Sequence, residues 1–244
     1  MTDTISRKCP YCGKKFVNKD IKFGNIFHGI PFPDCNCSEE NAEKNVEREK
    51  CIRKKQKIKQ LYLQAGFSRK LRSFRLKNLS CEHTETAKQY IKNFAPKRSK
   101  GLSLIGAPGN GKTTLATCIG KELVSMGCKV IIKTFNDYLG EMQQAEFAKD
   151  YKNKSWLLDQ WTQKDLVIID DFGREKYTET RLVNTFTFFD KLVNNCTSFI
   201  LTANPESMAA IKEFPEFSAI LDRIVGDCKK LVFTNSSYRR KDEE

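Results

Sequence analysis

The sequence predicts an α/β fold in which helices flank a parallel sheet, with a small zinc-binding domain in front of it. A glycine-rich loop at residues 106–113 stands between a short apolar run and a helix-like stretch. A second apolar run, residues 165–171, ends in two aspartates. Two close pairs of cysteines lie within residues 9–37, ahead of both runs. Because continuously apolar runs are typical of strands buried on both faces, we expect the sheet to be parallel.

The glycine-rich loop reads GAPGNGKT and matches the phosphate-binding pattern G-x-x-x-x-G-K-[ST]. Residues 102–105 before it are strand-like, and residues 113–126 after it are helix-like and end at Gly127. Glycines let backbone N–H groups converge on phosphate oxygens, and the helix N-terminus adds partial positive charge. We therefore expect a site for ATP with Mg²⁺. The residues expected to contact the nucleotide are Gly106, Ala107, Pro108, Gly109, Asn110, Gly111, Lys112, Thr113 and Thr114.

Four side chains have specific expected roles in this site. Lys112 is expected on the β- and γ-phosphates, and Thr113 is expected to hold Mg²⁺. The run DLVIIDD at residues 165–171 predicts a buried strand with its acids at the carboxyl end. Asp170 would then complete the Mg²⁺ shell with Thr113, and Asp171 would orient or deprotonate the attacking water.

Two further strands are expected in the same sheet. Residues 129–134 and 198–202 are short apolar runs of strand type. Asn204 follows the second run and is expected to hydrogen-bond the attacking water or the γ-phosphate. The alternative is that Asn204, which precedes Pro205, is an ordinary turn residue.

Two long helices are expected between these strands. One is capped by Asn136 or Asp137 and runs to about Tyr151. The other spans residues 178–195, and its apolar stripe is expected to lie in the core without a chemical role. The residues of that stripe are Leu182, Val183, Phe186, Phe189, Leu192 and Val193.

The N-terminal cysteines predict a zinc site. Cys9 and Cys12 form a Cys-x-x-Cys pair, whereas Cys35 and Cys37 form a Cys-x-Cys pair. Four sulfurs in two close pairs suit tetrahedral zinc, although His28 could replace one of them. The metal is expected to be structural, because a segment this small has too few apolar residues to fold alone. The other six of the 10 cysteines show no pairing pattern and are expected to be small buried or neutral surface residues.

The positive charge is concentrated toward the N-terminus. Residues 1–100 carry 24 Lys and Arg against 10 Asp and Glu, whereas residues 101–244 carry 19 against 20. This imbalance points to a polyanionic partner or one with an acidic surface, with nucleic acid as the first candidate and a solvated charged linker as the alternative. Residues 38–66 predict a polar helix that connects or docks. The expected domains are a zinc-binding partner-docking domain (1–40), a basic helical linker (41–66) and a nucleotide-binding domain (67–244).

Membrane and secretory classes are not expected. The sequence offers no run of 18 apolar residues, and its start, MTDTISRKCP, has no apolar core of the kind that signal peptides carry. We therefore expect a cytoplasmic protein.

The combined motifs resemble those of the DnaC/DnaI-type replicative helicase loaders of the AAA+ ATPases and the related IstB transposition helpers. The resemblance covers roughly residues 67–244. It is carried by GAPGNGKTT, LVIIDDFG, ILTAN, SAILDRI and the terminal FTNSSYRR. It implies an AAA+ P-loop sheet without a C-terminal helical lid, since only 21 residues follow Arg223. The N-terminal zinc element looks like the helicase-docking domain of the DnaI branch.

The resemblance also implies roles for individual residues. Arg223 matches the family's arginine finger, which acts on ATP held by a neighbouring subunit, so a homo-oligomer is expected with ATP or partner bound. Ala219 stands where some relatives carry an additional arginine, and Asp171 replaces the glutamate common in AAA+ proteins. In such loaders the helix after the second strand takes part in binding single-stranded DNA. The corresponding candidate stacking and phosphate contacts here are Phe147, Lys149 and Tyr151, and Tyr177, which follows the aspartate pair, is another.

The function expected from these features is ATP-dependent loading of a replicative DNA helicase, with slow and assembly-dependent ATP hydrolysis. The alternative among enzymes is a transposition helper that works with a transposase on duplex DNA. A nucleotide-gated adaptor with little turnover is another alternative, favoured by Asp171. A zinc-dependent nucleic-acid-binding module is the third, and it leaves the aspartate-ended strand and Arg223 unexplained.

Overall fold

The computed structural model describes most of the chain, and the chain divides into two compact units, Met1–Gln56 and Lys57–Glu244. The described residues are 8–9, 11–23, 26–33, 35–149, 151–175, 178–212, 217, 221, 226 and 228–238. Among them, no helix is both long and apolar enough to cross a lipid bilayer.

The first unit contains a β-hairpin. Strands β1 (Phe16–Phe23) and β2 (Ile26–Pro33) pair antiparallel, from Phe16 opposite Pro33 to Phe23 opposite Ile26. An isolated antiparallel bridge joins Lys8 to Lys15, on either side of the first cysteine pair. The hairpin therefore lies in the chain between the two cysteine pairs.

A helix of 28 residues, α1 (Cys37–Gln64), follows the hairpin. Most of its side chains are exposed, as expected for the polar sequence, and Gly66 after its end has a φ of 81°. Within the second unit, Leu61 and Ala65 are buried against the core. The carbonyl of Ala65 accepts a hydrogen bond of 2.8 Å from the backbone N–H of Ile132, and this contact covers an edge of the sheet.

The second unit is built on a five-stranded sheet in which every pairing is parallel, in the order β4-β5-β6-β3-β7. The α/β fold class expected from the sequence, a parallel sheet flanked by helices, is confirmed. Its strands are β3 (Gly101–Gly106), β4 (Val130–Thr134), β5 (Leu166–Phe172), β6 (Ser198–Ala203) and β7 (Cys228–Phe233). Its helices are α2 (Thr84–Lys92), α3 (Lys112–Ser125), α4 (Phe135–Phe147), α5 (Tyr151–Thr162), α6 (Glu179–Asn194) and α7 (Pro205–Lys212). Two short 3₁₀ turns, Arg69–Leu71 and Leu76–Asn78, precede α2.

The sheet is buried on both faces, which explains its continuously apolar strands. In β5, Val167 and Ile169 point into one apolar cluster, and Leu166 and Ile168 point into the other. The first cluster joins the sheet to α4, α5 and α6 through aromatic side chains: Phe135, Tyr138, Trp161, Phe172, Phe188 and Phe189. The second cluster joins it to α2, α3 and the end of α1.

Two details of the helices differ from the sequence prediction. The helix expected to run to about Tyr151 ends at Phe147, and α5 starts at Tyr151, with Lys149 between them at a φ of 51°. Its cap is Thr134, whose hydroxyl accepts a hydrogen bond from the N–H of Asp137, so neither Asn136 nor Asp137 is the cap. A hydroxyl at the strand end reaches this N–H because the helix starts at least two residues earlier than expected.

The helix expected over residues 178–195 is confirmed as α6, capped by Thr178. The prediction of its apolar stripe is partly wrong. Val183, which was included, is 58% exposed, whereas Phe188, which was not included, is fully buried. Phe188 packs on Tyr138 with ring centroids 4.4 Å apart. The buried face of α6 therefore includes Phe188 and excludes Val183.

Candidate functional site

The glycine-rich loop joins β3 to α3 at the carboxyl end of the sheet. Gly109 and Gly111 have φ values of 85° and 92°, in the left-handed region that glycine adopts without strain. A side chain at Gly109 would also collide with Ser237. Gly111 directly precedes α3, so the loop leads into a helix N-terminus whose unpaired backbone N–H groups attract anions.

Lys112 is folded into this loop. Its side chain is buried, with 7% of the residue exposed, and Nζ donates to the carbonyls of Gly106 and Ala107 at 2.6 and 2.7 Å. Nζ also donates to Oδ1 of Asn110 at 3.1 Å. The ammonium is thus a positive charge held inside the loop and satisfied by the loop's own oxygens.

Hydroxyl and carboxylate groups connect the loop to β5 and β6. Thr113 Oγ1 donates to Asp170 Oδ1 at 2.8 Å, and Thr202 Oγ1 donates to the same oxygen at 2.7 Å. The backbone N–H of Asp171 in turn donates to Thr202 Oγ1 at 2.9 Å. Octahedral Mg²⁺ with bonds of about 2.0–2.1 Å places neighbouring ligand oxygens about 2.9 Å apart. The spacing of the Thr113 and Asp170 oxygens therefore fits two adjacent Mg²⁺ ligands.

Asp171 has an unusual backbone and a charged partner. Its φ is 59°, rare for a residue with a side chain, and the pairing register of β5 with β6 shifts between Ile169 and Phe172. Its carboxylate Oδ2 accepts from Arg174 Nη1 at 2.8 Å. Both side chains line a cavity of about 560 Å³ beside Thr134 and Arg181. The predicted water-activating acid is therefore engaged in an ion pair.

A second cavity, of about 630 Å³, lies on the loop itself. Its volume is within the range of about 300–1,000 Å³ usual for ligand pockets. The loop forms one side, from Gly109 to Thr114, and Tyr238 lies beside it. The opposite side is formed by the segment between α1 and α2, with Lys70, Leu71, Phe74, Asn78, Leu79, Ser80 and Cys81. This cavity can accommodate a nucleotide whose phosphates lie on the loop.

A buried lysine of α3 holds the far side of this cavity in place. Lys121 Nζ donates to three backbone carbonyls, those of Leu71, Arg72 and Phe74, at 3.3, 2.7 and 2.5 Å. Burial lowers the pKa of this lysine. The three carbonyls nevertheless satisfy its three N–H donors, so the wall is fixed to the helix that follows the loop.

Asn204 lies directly after β6 and is half-buried. Its backbone carbonyl accepts a hydrogen bond of 3.0 Å from the N–H of Met208, at the start of α7. It therefore stands at the same edge of the sheet as Asp170, one strand away. Arg223 and Ala219, expected on a helix after α7, lie outside the described residues.

The predicted DNA contacts fall at the junction of α4 and α5. Phe147 is 80% exposed and Lys149 is exposed, while Tyr151 is the first residue of α5. Trp156 on α5 is 56% exposed as well. Tyr177 lies outside the described residues. Of these side chains, Phe147 and Lys149 are therefore exposed at the junction of the two helices.

The four N-terminal cysteines meet in one cluster. The sulfur atoms of Cys9, Cys12, Cys35 and Cys37 all lie within 4.8 Å of one another. Tetrahedral zinc with Zn–S bonds of about 2.3 Å places its sulfurs about 3.8 Å apart, so the cluster is compatible with zinc. His28, the alternative ligand, is on β2 opposite Ile21.

The turn around the first cysteine pair favours metal binding. Gly13 has a φ of 73° and donates its N–H to the Cys9 carbonyl at 2.9 Å. Backbone hydrogen bonds from Cys12 and Tyr11 lower the pKa of Cys9 to about 7. Hydrogen bonds with the Cys12 and Cys35 sulfurs raise the pKa of Cys37 to about 12. The clustered thiols thus differ in how readily they lose their protons. A divalent cation would replace the remaining protons by binding the thiolates.

Sequence reasoning missed several residues of these sites. Thr202 belongs to the motif ILTAN, in which only Asn204 was given a role. Arg174 lies only three residues after Asp171, so their pairing could have been suspected from the sequence. Lys121 acts through hydrogen bonds to carbonyls such as that of Arg72, 49 residues away, and no local signal marks it. Tyr238 belonged to a motif, FTNSSYRR, to which no residue role was given.

Comparison with known proteins identifies the family. The model of the IstB-like ATP binding proteins matches residues 35–244. The replicative helicase loader DnaC of Escherichia coli (strain K12) is 27% identical over 158 residues, which cover 64% of this chain and 62% of that protein. A putative insertion sequence ATP-binding protein of Sinorhizobium fredii is 27% identical over 149 residues, covering 59% of this chain and 48% of that protein.

The fold is also found among solved structures. The crystal structure of the DnaC helicase loader aligns with a TM-score of 0.58 at 20% identity, covering 68% of this chain and 100% of that chain. This likeness concerns the fold, and the family match covers the glycine-rich loop, the aspartate-ended strand and the C-terminal motif together. The chain therefore belongs to the family of IstB-like ATP binding proteins.

Proposed function

We propose that this protein is an ATP-dependent loader of a replicative DNA helicase that works in the cytoplasm. The observation that carries the nucleotide part is the hydrogen bond of 2.8 Å between Thr113 of the loop and Asp170 of β5. It places a hydroxyl and a carboxylate together beside a cavity of nucleotide size. The helicase part is supported by the similarity to the DnaC loader, of which this chain spans 62%.

The expected chemistry assigns one task to each side chain. Lys112 and the loop N–H groups bind the phosphates, and Thr113 and Asp170 hold Mg²⁺. Mg²⁺, when bound, neutralises charge that develops on the transferred phosphoryl group. Asp171 takes a proton from the attacking water, and Asn204 orients that water.

Hydrolysis is proposed to be slow until subunits assemble. Asp171 is paired with Arg174, so its carboxylate must leave that ion pair to act as a base. Arg223 of a neighbouring subunit would add positive charge at the γ-phosphate only in an oligomer. ATP would thus favour assembly, and hydrolysis would favour release of the partner.

Single-stranded DNA is proposed to bind at the α4–α5 corner. Phe147 is exposed there and offers a face for base stacking, and Lys149 offers a charge for the phosphates. Trp156, exposed farther along α5, offers a second aromatic face. Tyr151 and Tyr177 are the other proposed contacts.

The N-terminal zinc-binding domain is proposed to dock the helicase. Residues 1–40 would form the docking domain and residues 41–66 the linker to the ATP-binding domain at 67–244. The cluster of four cysteine sulfurs supports this division, because a bound metal can fold a short segment independently of the larger core.

Two alternatives each have an observation in their favour. The likeness to an insertion sequence ATP-binding protein favours a transposition helper acting with a transposase. The ion pair between Asp171 and Arg174 favours a nucleotide-gated adaptor with negligible turnover.

Complex formation with purified partners tests the proposal. The full-length protein with Mg·ATP is mixed with the hexameric replicative helicase of its host or with the transposase of an insertion sequence, and the mass of each complex is measured by light scattering. We expect a complex with the helicase. A complex with the transposase alone would favour the transposition helper.

A cysteine pair of variants tests the docking role. Cys12→Ser is expected to lose zinc, measured by mass spectrometry of the metal, and to lose the helicase complex. Cys51→Ser is the matched control, because Cys51 is exposed on α1 outside the cluster. Helicase binding by a zinc-free Cys12→Ser protein would contradict docking through the zinc domain.

A further inference from the structure

After β7, the chain passes over the glycine-rich loop. Residues 234–238, here called the C-terminal strap, run from the end of β7 over the loop. The N–H of Tyr238 donates to the carbonyl of Gly109 at 3.0 Å. Ser237 lies so close to Gly109 that a side chain there would collide with it, and the Tyr238 ring would be 3.5 Å from a Cβ at Gly111. The absence of a side chain at Gly109 therefore also makes room for the strap.

The start of the strap is fastened to the segment before α2. The N–H and hydroxyl of Thr234 donate to the two carboxylate oxygens of Glu82 at 2.9 and 2.8 Å. His83 packs edge-on against Phe233, with ring centroids 4.8 Å apart, and its Nε2 lies 2.8 Å from the carbonyl of Val232. These contacts fix where the strap leaves the sheet.

The loop itself is tied to the same place. Asn110 Nδ2 donates to the carbonyl of Phe233 at 3.4 Å, and Asn110 also accepts from Lys112. The hydroxyl of Tyr238 donates to the carbonyl of Ser80 at 3.3 Å, on the far side of the cavity. The strap therefore bridges the loop and the opposite wall.

Tyr238 completes the nucleotide cavity. It is 39% exposed, and Phe74 on the opposite side is 46% exposed, although both line the same cavity. Lys112 marks the phosphate end of that cavity, so a nucleotide bound there would place its base and ribose toward these aromatic side chains. Because Lys121 holds the Phe74 side of the cavity in place, the position of the strap sets the distance between Tyr238 and Phe74.

We propose, on the basis of the nucleotide binding proposed above, that the C-terminal strap is part of the nucleotide site and that the Tyr238 ring packs on the base and ribose of a bound nucleoside di- or triphosphate. Nucleotide and strap then stabilise each other, because the strap is bonded to the loop through Gly109. Tyr238 is a determinant of nucleoside binding, whereas Lys112 is a determinant of phosphate binding.

Affinities for two ligands separate these roles. Isothermal titration with Mg·ADP is expected to show about 10-fold weaker binding for Tyr238→Ala, the size of effect that a lost stacking contact gives. Tyr238→Phe, which keeps the ring, is expected to stay within about twofold of wild type. Tripolyphosphate, which has no base, is expected to bind wild type and Tyr238→Ala equally and Lys112→Ala poorly. The matched control is Val232→Ala, an exposed side chain of β7 outside the cavity.

Each result has one meaning. If Tyr238→Ala binds Mg·ADP as tightly as wild type and Val232→Ala, the strap has no part in nucleoside binding and the inference is wrong. If Tyr238→Ala loses tripolyphosphate as well, its effect is on the loop and the role in base contact is also wrong. If wild type binds neither ligand, the failure belongs to the proposed nucleotide site itself.

Hydrogen exchange in the wild-type protein provides a measurement that needs no variant. The Tyr238 N–H bonded to Gly109 is expected to exchange more slowly when Mg·ADP is bound. Unchanged exchange at saturating Mg·ADP would contradict the mutual stabilisation of strap and nucleotide.

Discussion

At the scale of residues, the hydroxyl of Thr202 hydrogen-bonds both aspartates at the carboxyl edge of the sheet. Thr202 is buried, donates to Asp170 and accepts from the N–H of Asp171. It therefore fixes the direction of one carboxylate and supports the left-handed backbone of the next residue. Neither contact can be read from a phosphate-binding motif, since Thr202 comes from a different strand.

Replacing Thr202 by valine tests this role. Thr202→Val keeps the shape but leaves the Asp171 N–H without its acceptor, so we expect a loss of about 1–3 kcal/mol in the free energy of unfolding. ATP hydrolysis should fall as well, because Asp170 loses a hydrogen bond that orients it. Urea unfolding and phosphate release measure the two effects, and Thr202→Ser is expected to retain both properties. A fully active Thr202→Val protein of wild-type stability would show that the hydroxyl is dispensable.

The ion pair of Asp171 is the second feature of residue scale. The carboxylate proposed to activate water is held by Arg174 at 2.8 Å, yet both side chains are partly exposed. An exposed pair of this kind stabilises a protein by less than about 1 kcal/mol. It is therefore weak enough to be broken when a nucleotide or a neighbouring subunit competes for either group.

Removing Arg174 should release the acid. Arg174→Ala is expected to raise the basal rate of ATP hydrolysis several-fold, measured as phosphate release, with little change in the free energy of unfolding. Lys88→Ala is the matched control, since Lys88 forms an exposed pair with Glu85 at the same sequence spacing. A fall in the basal rate for Arg174→Ala would mean that Arg174 assists hydrolysis instead of restraining Asp171.

Among the elements, those with strong local signals were predicted well. Strands β3, β5 and β6 and helices α3 and α6 lie within about two residues of their predicted bounds, because apolar runs and caps mark them. The break between α4 and α5 was missed, since residues 148–150 carry neither glycine nor proline. The β1–β2 hairpin was also missed, although Gly24-Asn25 between two apolar runs is a pattern typical of hairpin turns.

The end of the edge strand β7 is held by a residue that lies far away in the sequence. Glu82 binds the N–H and hydroxyl of Thr234, 152 residues away. These hydrogen bonds favour the ionised form and lower the pKa of the Glu82 carboxyl below its ordinary value of 4.5. A carboxyl whose pKa is lower in the folded state stabilises the fold above its unfolded pKa.

The stabilising effect of Glu82 should therefore disappear in acid. The difference in free energy of unfolding between wild type and Glu82→Gln is expected to be constant above about pH 5 and to shrink as the pH falls below 4.5 through the folded pKa. Urea titrations from pH 7 to pH 3 measure it, with Glu85→Gln as the control on the neighbouring helix. A difference that grows toward low pH would contradict the assigned hydrogen bonds.

At the scale of the whole molecule, two kinds of information were readable from the sequence. The fold class and the family followed from motifs that lie far apart in the chain yet meet at one edge of a parallel sheet. The cysteine pairs predicted a cluster that the fold does bring together. The strap over the loop could not be foreseen, because it arises from the path of the folded chain, whereas Arg174 was overlooked although it lies only three residues after Asp171.

The division of labour proposed for the molecule follows from where the cysteine cluster and the core lie. The four clustered cysteines belong to the first unit, whereas the parallel sheet and the glycine-rich loop belong to the second unit. Helicase binding and ATP binding should then be separable by variants in different units. A loader requires both, since docking without a nucleotide switch brings the helicase to DNA but does not control its release.

Loading of helicase onto closed circular single-stranded DNA tests the central claim most directly, with unwinding of an annealed oligonucleotide as the readout. Wild type with ATP is expected to load the helicase. Lys112→Ala, which loses the buried positive charge of the loop, should still bind the helicase but should not support ATP-dependent loading. Wild-type loading by a Lys112→Ala protein that binds no ATP would contradict the account.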